Sequence, residues 1–151
     1  MIAIPLNTIQ AIPAIASKPR PRRITSTVPP RTITDGDGRM VHLRPYREHD
    51  FKDLVSMYDD FDPAHLAQGT PPLGEDVIRA WLRDVPGGVN VLAVCDDELV
   101  GHVMFVPDGT RRHELAIFVD QDYQSRGIGT ELIAAGTVKR AAREATTSGC
   151  R

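Results

Sequence analysis

Three apolar runs, residues 89–95 (VNVLAVC), 98–106 (ELVGHVMFV) and 113–119 (HELAIFV), follow one another with only short polar connections. Asp96 and Asp97 separate the first two, and Pro107, Asp108, Gly109 and Thr110 open the second connection with turn chemistry. Parallel strands need a crossover of about a dozen residues or more, so connections this short impose an antiparallel meander. A six-residue connection then leads into a long helix starting near Arg126. Ile128, Leu132, Ala135, Val138, Ala142 and Ala145 recur along it at helical spacing.

Upstream, residues 40–44 (MVHLR) alternate as a strand and stop at Pro45. Residues 48–60 read as a helix with Phe51, Leu54, Val55 and Tyr58 on one face. Residues 61–74 read as a loop from their Pro and Gly content. A second helix is expected over 75–85, with Val77, Ile78, Trp81 and Leu82 as its stripe and Pro86-Gly87-Gly88 as its end. The chain of 151 residues has the length of one domain. Residues 1–38 hold six of the 12 prolines, show no apolar period and carry a net charge of +3, against −5 for the remainder. They are expected to be a disordered, dispensable tail, which leaves 39–151 as the folded domain. The apolar start is broken by Pro5 and Pro13, and basic residues follow it instead of preceding it, the wrong order for a secretory signal.

Net charge is −2 and the isoelectric point is near 6.2, so no strong field points to nucleic acid or an anionic membrane. Neither is expected as a partner. Cys95 and Cys150 are too far apart to make a disulfide framework or a metal site. Reduced thiols in a cytoplasmic protein, with no metal, are the expectation.

The chemistry-bearing stretch is Gln124-Ser125-Arg126-Gly127-Ile128-Gly129-Thr130, between a strand and a helix. A helix start offers unpaired N–H groups and the positive end of the dipole, which suits a phosphate. Gly127 and Gly129 let a pyrophosphate approach the backbone, Thr130 offers a hydroxyl and Arg126 a charge-assisted contact. Alone, such a turn serves equally well as a tight connection with no ligand. A dinucleotide fingerprint would need a third Gly where Leu132 stands, and a parallel strand–helix–strand unit around it.

Gln124, Gly127 and Gly129, placed after an antiparallel meander, resemble the acetyl-CoA motif of the GNAT superfamily of N-acetyltransferases. The strand His113 to Val119 resembles the family's fourth strand, and the order of elements matches over roughly residues 39–148. The resemblance implies an α+β fold, a mixed and mostly antiparallel sheet flanked by helices. It implies acetyl-CoA as cosubstrate, with its pyrophosphate on the N–H groups of Ser125, Arg126, Gly127, Ile128, Gly129 and Thr130. The pantetheine arm would pair with the backbone of Ile117, Phe118 and Val119, and a backbone N–H nearby would polarise the thioester carbonyl. An amine acceptor, of a small molecule or a protein, would then attack directly.

An ammonium must lose a proton before it attacks, so a base is useful. Related enzymes place a Glu on the fourth strand, and Glu114 is the carboxylate inside that strand here. A solvated strand-end carboxylate is the competing reading, and His113 is a lesser candidate base on the opposite face. His102 reads as a structural histidine. Asp59, Asp60 and Asp62 read as a solvated helix end beside the acceptor region. The family continues with a further strand and a helix that often supplies a Tyr, and these C-terminal parts are expected to be missing. The exposed strand edge that results leaves pairing into a homodimer open. It also makes a non-catalytic CoA-binding module or an inactive fragment the alternative to an active transferase.

Overall fold

The computed structural model describes residues 28–62, 64, 72–83, 88–110 and 112–148. Five strands, β1 (Arg31–Thr34), β2 (Met40–Pro45), β3 (Val89–Cys95), β4 (Glu98–Pro107) and β5 (His113–Val119), form one sheet in the order β1-β2-β3-β4-β5. Every pairing is antiparallel. The expected meander is therefore present, with β3 and β5 at the expected bounds. The helices are α1 (Phe51–Asp59), α2 (Glu75–Arg83) and α3 (Ile128–Ser148).

Strand side chains alternate between faces, and here both faces are covered. Val41, Leu43, Val91, Ala93, Val103 and Phe105 pack with Ile128, Leu132 and Ala135 of α3. Leu92, Met104 and Phe118, on the other face, pack with Leu54, Val55 and Tyr58 of α1 and Ile78 of α2. This double burial explains why β3 and β4 read as nearly continuous apolar runs. Arg44 anchors the start of α1 through two hydrogen bonds of 2.7 Å to the Asp50 carboxylate. That guanidinium holds the Asp50 carboxyl below its usual range against the opposing effect of burial.

The α3 axis lies close against β4 because residue 136 has no side chain. A Cβ on Gly136 would sit 2.5 Å from Cε2 of the Phe105 ring and 3.3 Å from Val103 Cγ1. Gly136→Ala should therefore lower stability by about 1–3 kcal/mol, overpacking outweighing the gain in helix propensity. Urea unfolding checks this; an unchanged or raised midpoint would contradict it.

The first element corrects the expected tail. Residues 31–34 form β1, paired in register with β2 from Arg31↔Leu43 to Thr34↔Met40. The Arg31 guanidinium donates to the Glu131 carboxylate at 2.6 Å, tying β1 to the first turn of α3. Both side chains are largely buried, at 10% and 17% exposure, so the pair is stronger than a surface one. The folded unit thus begins before residue 39, and a chain started at Met40 would lose a strand. The rest of the expected tail, residues 1–27, and most of the expected loop 61–74 lie outside the described residues. Two further differences concern helix faces. Val77 is 54% exposed while Ile78 is buried. The stripe of α3 is buried at Ile128, Leu132 and Ala135 but exposed by Ala142 and Ala145.

Candidate functional site

At one end of the sheet β5 leaves through a short 3-10 turn (Gln121–Tyr123) into residues 124–127, and α3 begins. Ser125 and Gly127 both take left-handed backbone, at φ +61° and +86°. Among the described residues no backbone carbonyl accepts from the N–H groups of residues 124–130; the first such bond runs from Glu131 N to Gly127 O. A row of unclaimed donors thus stands at the positive end of a 21-residue helix. A Cβ at Gly127 would meet nothing within 4 Å, so the concavity is open there. Gly129 differs: its Cβ would contact Val119 and Ile117 side chains at 3.6 and 3.7 Å, so this glycine seats the first helical turn on β5. Ile128 is buried in the core and offers only its backbone, while Ser125 and Thr130 are exposed. These features fit a polyphosphate as cargo.

Gln124 is engaged inside the protein. Its side-chain amide donates to Val119 O at 3.0 Å and so fixes the loop to the end of β5. Arg126 is engaged as well, with Nη1 2.9 Å from the Asp37 carboxylate, yet off the direction a hydrogen bond requires.

The β5 register sorts the backbone expected to meet an extended ligand. Asp120 N donates to Val100 O, and Gly101 pairs with Val119, His102 with Phe118 and Val103 with Ile117 without interruption. Antiparallel pairing alternates, so Glu114, Ala116 and Phe118 direct their N–H and C=O groups at β4. Leu115, Ile117 and Val119 direct theirs at the outer edge of β5. The main chain of Phe118, where a backbone contact was expected, is turned to β4; Ile117 presents both its groups outward, with Leu115 beside it, while Val119 presents its N–H and its carbonyl accepts from Gln124.

Glu114 is exposed near the start of β5, opposite Val106. It shares the face of Ala116 and Phe118, which pack on the α1 and α2 side. It makes no ion pair or side-chain hydrogen bond among the described residues. His113 faces α3 instead, where its Nδ1 lies 3.2 Å from Arg140 Nη1 and so accepts. The two candidate bases are thereby separated by the sheet.

Behind this face runs a buried polar chain. Tyr58 donates its hydroxyl to His102 Nδ1 at 2.8 Å, and His102 Nε2 faces Asn90 Oδ1 at 2.9 Å. His102 is 1% exposed, and burial lowers its pKa to about 3. Folded His102 thus stays neutral where the unfolded chain takes up a proton. The stability it contributes is present above about pH 6.5 and is lost as pH falls toward 3. The expected slope is at most about 1.4 kcal/mol per pH unit in that window. Urea melts between pH 7 and 4 should show this acid limb, flattened in His102→Gln; an equal slope in both proteins would contradict it.

Two concavities flank the sheet. One of about 60 Å³ is walled by His102, Asn90, Tyr46 and Met104 under α1 and α2. The other, about 330 Å³, is lined by Asp53, Asp60, Asp96, Asp97, Glu98 and Asp120. Of the expected acidic cluster Asp59, Asp60 and Asp62, only Asp60 lines it. Among the described residues no group of His, Cys, Asp and Glu is arranged to hold a metal ion, and no helix is long and apolar enough to cross a membrane.

Sequence reasoning missed Asp37, Arg39 and Tyr123. The turn between β1 and β2 docks on the loop through Gly36 N to Arg126 O at 2.9 Å. Arg39 and Arg126 both lie over the Tyr123 ring, at 5.0 and 5.6 Å from its centre. The signal available in sequence was the Asp35-Gly36-Asp37-Gly38 run, a hairpin turn composition just before the β2 strand pattern.

Residues 54–151 match the family model described as Acetyltransferase (GNAT) family. No curated protein matches the chain. Among solved structures, the GNAT domain of S. lividans PAT is similar at 23% identity and a TM-score of 0.56, over 74% of this chain and 72% of that one. A GNAT family acetyltransferase from Brucella melitensis in complex with acetyl-CoA gives 19% identity and 0.50, over 67% and 70%. A ribosomal-protein-alanine N-acetyltransferase from Brucella melitensis gives 27% and 0.51, over 68% and 67%. The first two likenesses bear on the fold alone.

Proposed function

Because the chain belongs to the acetyltransferase (GNAT) family, we propose that it takes acetyl-CoA as cosubstrate and moves the acetyl group to an amine by direct attack. The observation that carries this reading is the row of unclaimed N–H groups at residues 124–130, set beside the outer edge of β5, which pairs with no strand among the described residues. The acetyl-CoA complex of the Brucella melitensis relative supports the choice of cosubstrate.

In this reading the loop N–H groups and the Arg126 guanidinium receive the pyrophosphate. Gln124 keeps the loop on the end of β5. The outward N–H of Val119 and the outward N–H and C=O of Ile117 hold the extended arm in a strand-like pairing, the Val119 carbonyl being kept by Gln124. The next outward N–H, at Leu115, stands where a thioester carbonyl can be polarised. When bound, acetyl-CoA supplies the activated acetyl group and a thiolate leaving group.

Glu114 is proposed as the base that removes a proton from the acceptor ammonium, directly or through water. Its place five residues before Val119 puts it about 17 Å back along β5 from the strand end that leads into the phosphate loop, toward the reacting end. Proton removal there makes the amine a nucleophile, and the same carboxylate leaves the phosphate end untouched.

The test is release of free CoA thiol from acetyl-CoA over a panel of small amines, amino acids and peptides with free N-termini or lysines. Release that depends on both the protein and an amine supports the reading. Binding of CoA without amine-dependent release from any of them would reduce the chain to a CoA-binding module.

A further inference from the structure

Two guanidinium groups converge on one carboxylate at the head of the phosphate loop. Asp37 Oδ2 lies 2.9 Å from Arg126 Nη1 and 3.6 Å from Arg39 Nη2. Both guanidinium groups stack over the Tyr123 ring, which holds them in place beside the loop N–H groups. The turn that carries Asp37 and Arg39 is itself anchored on the loop by the bond from Gly36 N to Arg126 O. Strand β1 fixes that turn from the other side through Arg31 and Glu131.

The carboxylate is a poor match for this surrounding. Asp37 is 54% exposed and Arg39 38% exposed, so their attraction is weakened by solvent. Arg126 Nη1 is buried yet forms no hydrogen bond despite its closeness to Asp37. Nearby Asp35 feels the charge of both guanidinium groups, but its hydrogen bonds are spent on the turn. Its buried Oδ1 accepts from the N–H groups of Asp37 and Arg39, which shapes the turn.

We infer that Asp37 is an internal stand-in for a phosphate, and that Arg39 and Arg126 form a two-arginine clamp for a phosphate group of the cosubstrate once Asp37 gives way. This rests on the acetyl-CoA reading of the loop. A phosphate carries more charge than a carboxylate and presents three acceptor oxygens, so it satisfies planar guanidinium donors better. Asp37 sits on an exposed turn between Gly36 and Gly38, where its side chain can swing away into solvent. The turn thereby becomes part of the binding site, with Arg39 as a ligand-contacting residue contributed from outside the glycine loop.

Opposite signs for two variants test this. Calorimetric titration of CoA into the full chain should show Asp37→Asn binding about 3- to 5-fold more tightly, because a competing exposed ion pair is gone. Arg39→Gln should bind about 10-fold more weakly, through loss of a charge-assisted contact. Thermal melts should be unchanged in Asp37→Asn, whose side chain is 54% exposed, and should fall only slightly in Arg39→Gln, which loses its packing over Tyr123. Dephospho-CoA locates the clamp: an Arg39→Gln effect that vanishes with this ligand assigns it to the 3′-phosphate, and one that persists assigns it to the pyrophosphate. Weaker or unchanged binding by Asp37→Asn, with the wild type binding CoA normally, overturns the inference and leaves the acetyl-CoA reading intact. A wild type that binds neither ligand overturns both.

Discussion

Gly127→Asp should abolish CoA binding, lowering affinity by at least about 100-fold, since a carboxylate near 4 Å from a pyrophosphate is strongly repelled at protein-like dielectric. The backbone at residue 127 has φ +86°, so any L side chain is also strained there. No atom lies within 4 Å of the added Cβ, so packing does not enter. Gly127→Ala separates the two causes: it carries the strain without the charge and should keep most of the affinity that Asp removes. Gly129→Ala should be milder still, because its Cβ meets Val119 and Ile117 at ordinary contact distances. Calorimetry with CoA reads all three. Wild-type affinity in Gly127→Asp would remove the phosphate-loop assignment.

Glu114→Gln should lower the rate of acetyl transfer on the order of 10²-fold while leaving CoA affinity nearly unchanged, the usual scale for loss of a general base. Its side chain lies on the α1 and α2 face, near the opposite end of β5 from the loop. The loss should shrink at high pH, where more of the amine is already neutral. Full activity of the variant across the pH range would exclude Glu114 as the base. His113 is a poor substitute, because it lies on the α3 face with its Nδ1 accepting from Arg140. Water would then be the next acceptor of the proton.

The meander and the glycine loop were legible because their signals are local. Short polar turns force antiparallel neighbours, and the bounds of β3 and β5 follow from runs of apolar residues between them. Strand β1 was not legible. Its four residues, RTIT, contain one apolar side chain, Ile33, and its stability comes from partners far along the chain: Leu43 by pairing and Glu131 by charge. Apolar spacing also overstated burial on α3, because Ala142 and Ala145 keep the period without needing cover.

At the candidate site, residue identities pointed to the loop, while directions came only from the fold. Which of Ile117, Phe118 and Val119 offers its backbone depends on the β4–β5 register, and register parity is invisible in a seven-residue strand read alone. The separation of Glu114 from His113 was legible, since alternation alone predicts it. The gathering of Asp37, Arg39, Tyr123 and Arg126 was not, because it joins a hairpin turn to a helix start nearly ninety positions away.

The most direct test of the account is a backbone amide titration by NMR, with CoA added to the isotope-labelled full chain. The amide signals of Ser125 to Thr130 should shift first and furthest, followed by those of Leu115, Ile117 and Val119, while Ala116 and Phe118, whose N–H groups are spent on β4, move least along the strand. Shifts confined to other surfaces, or no shifts at millimolar CoA, would contradict the assignment of residues 124–130 as the cosubstrate site.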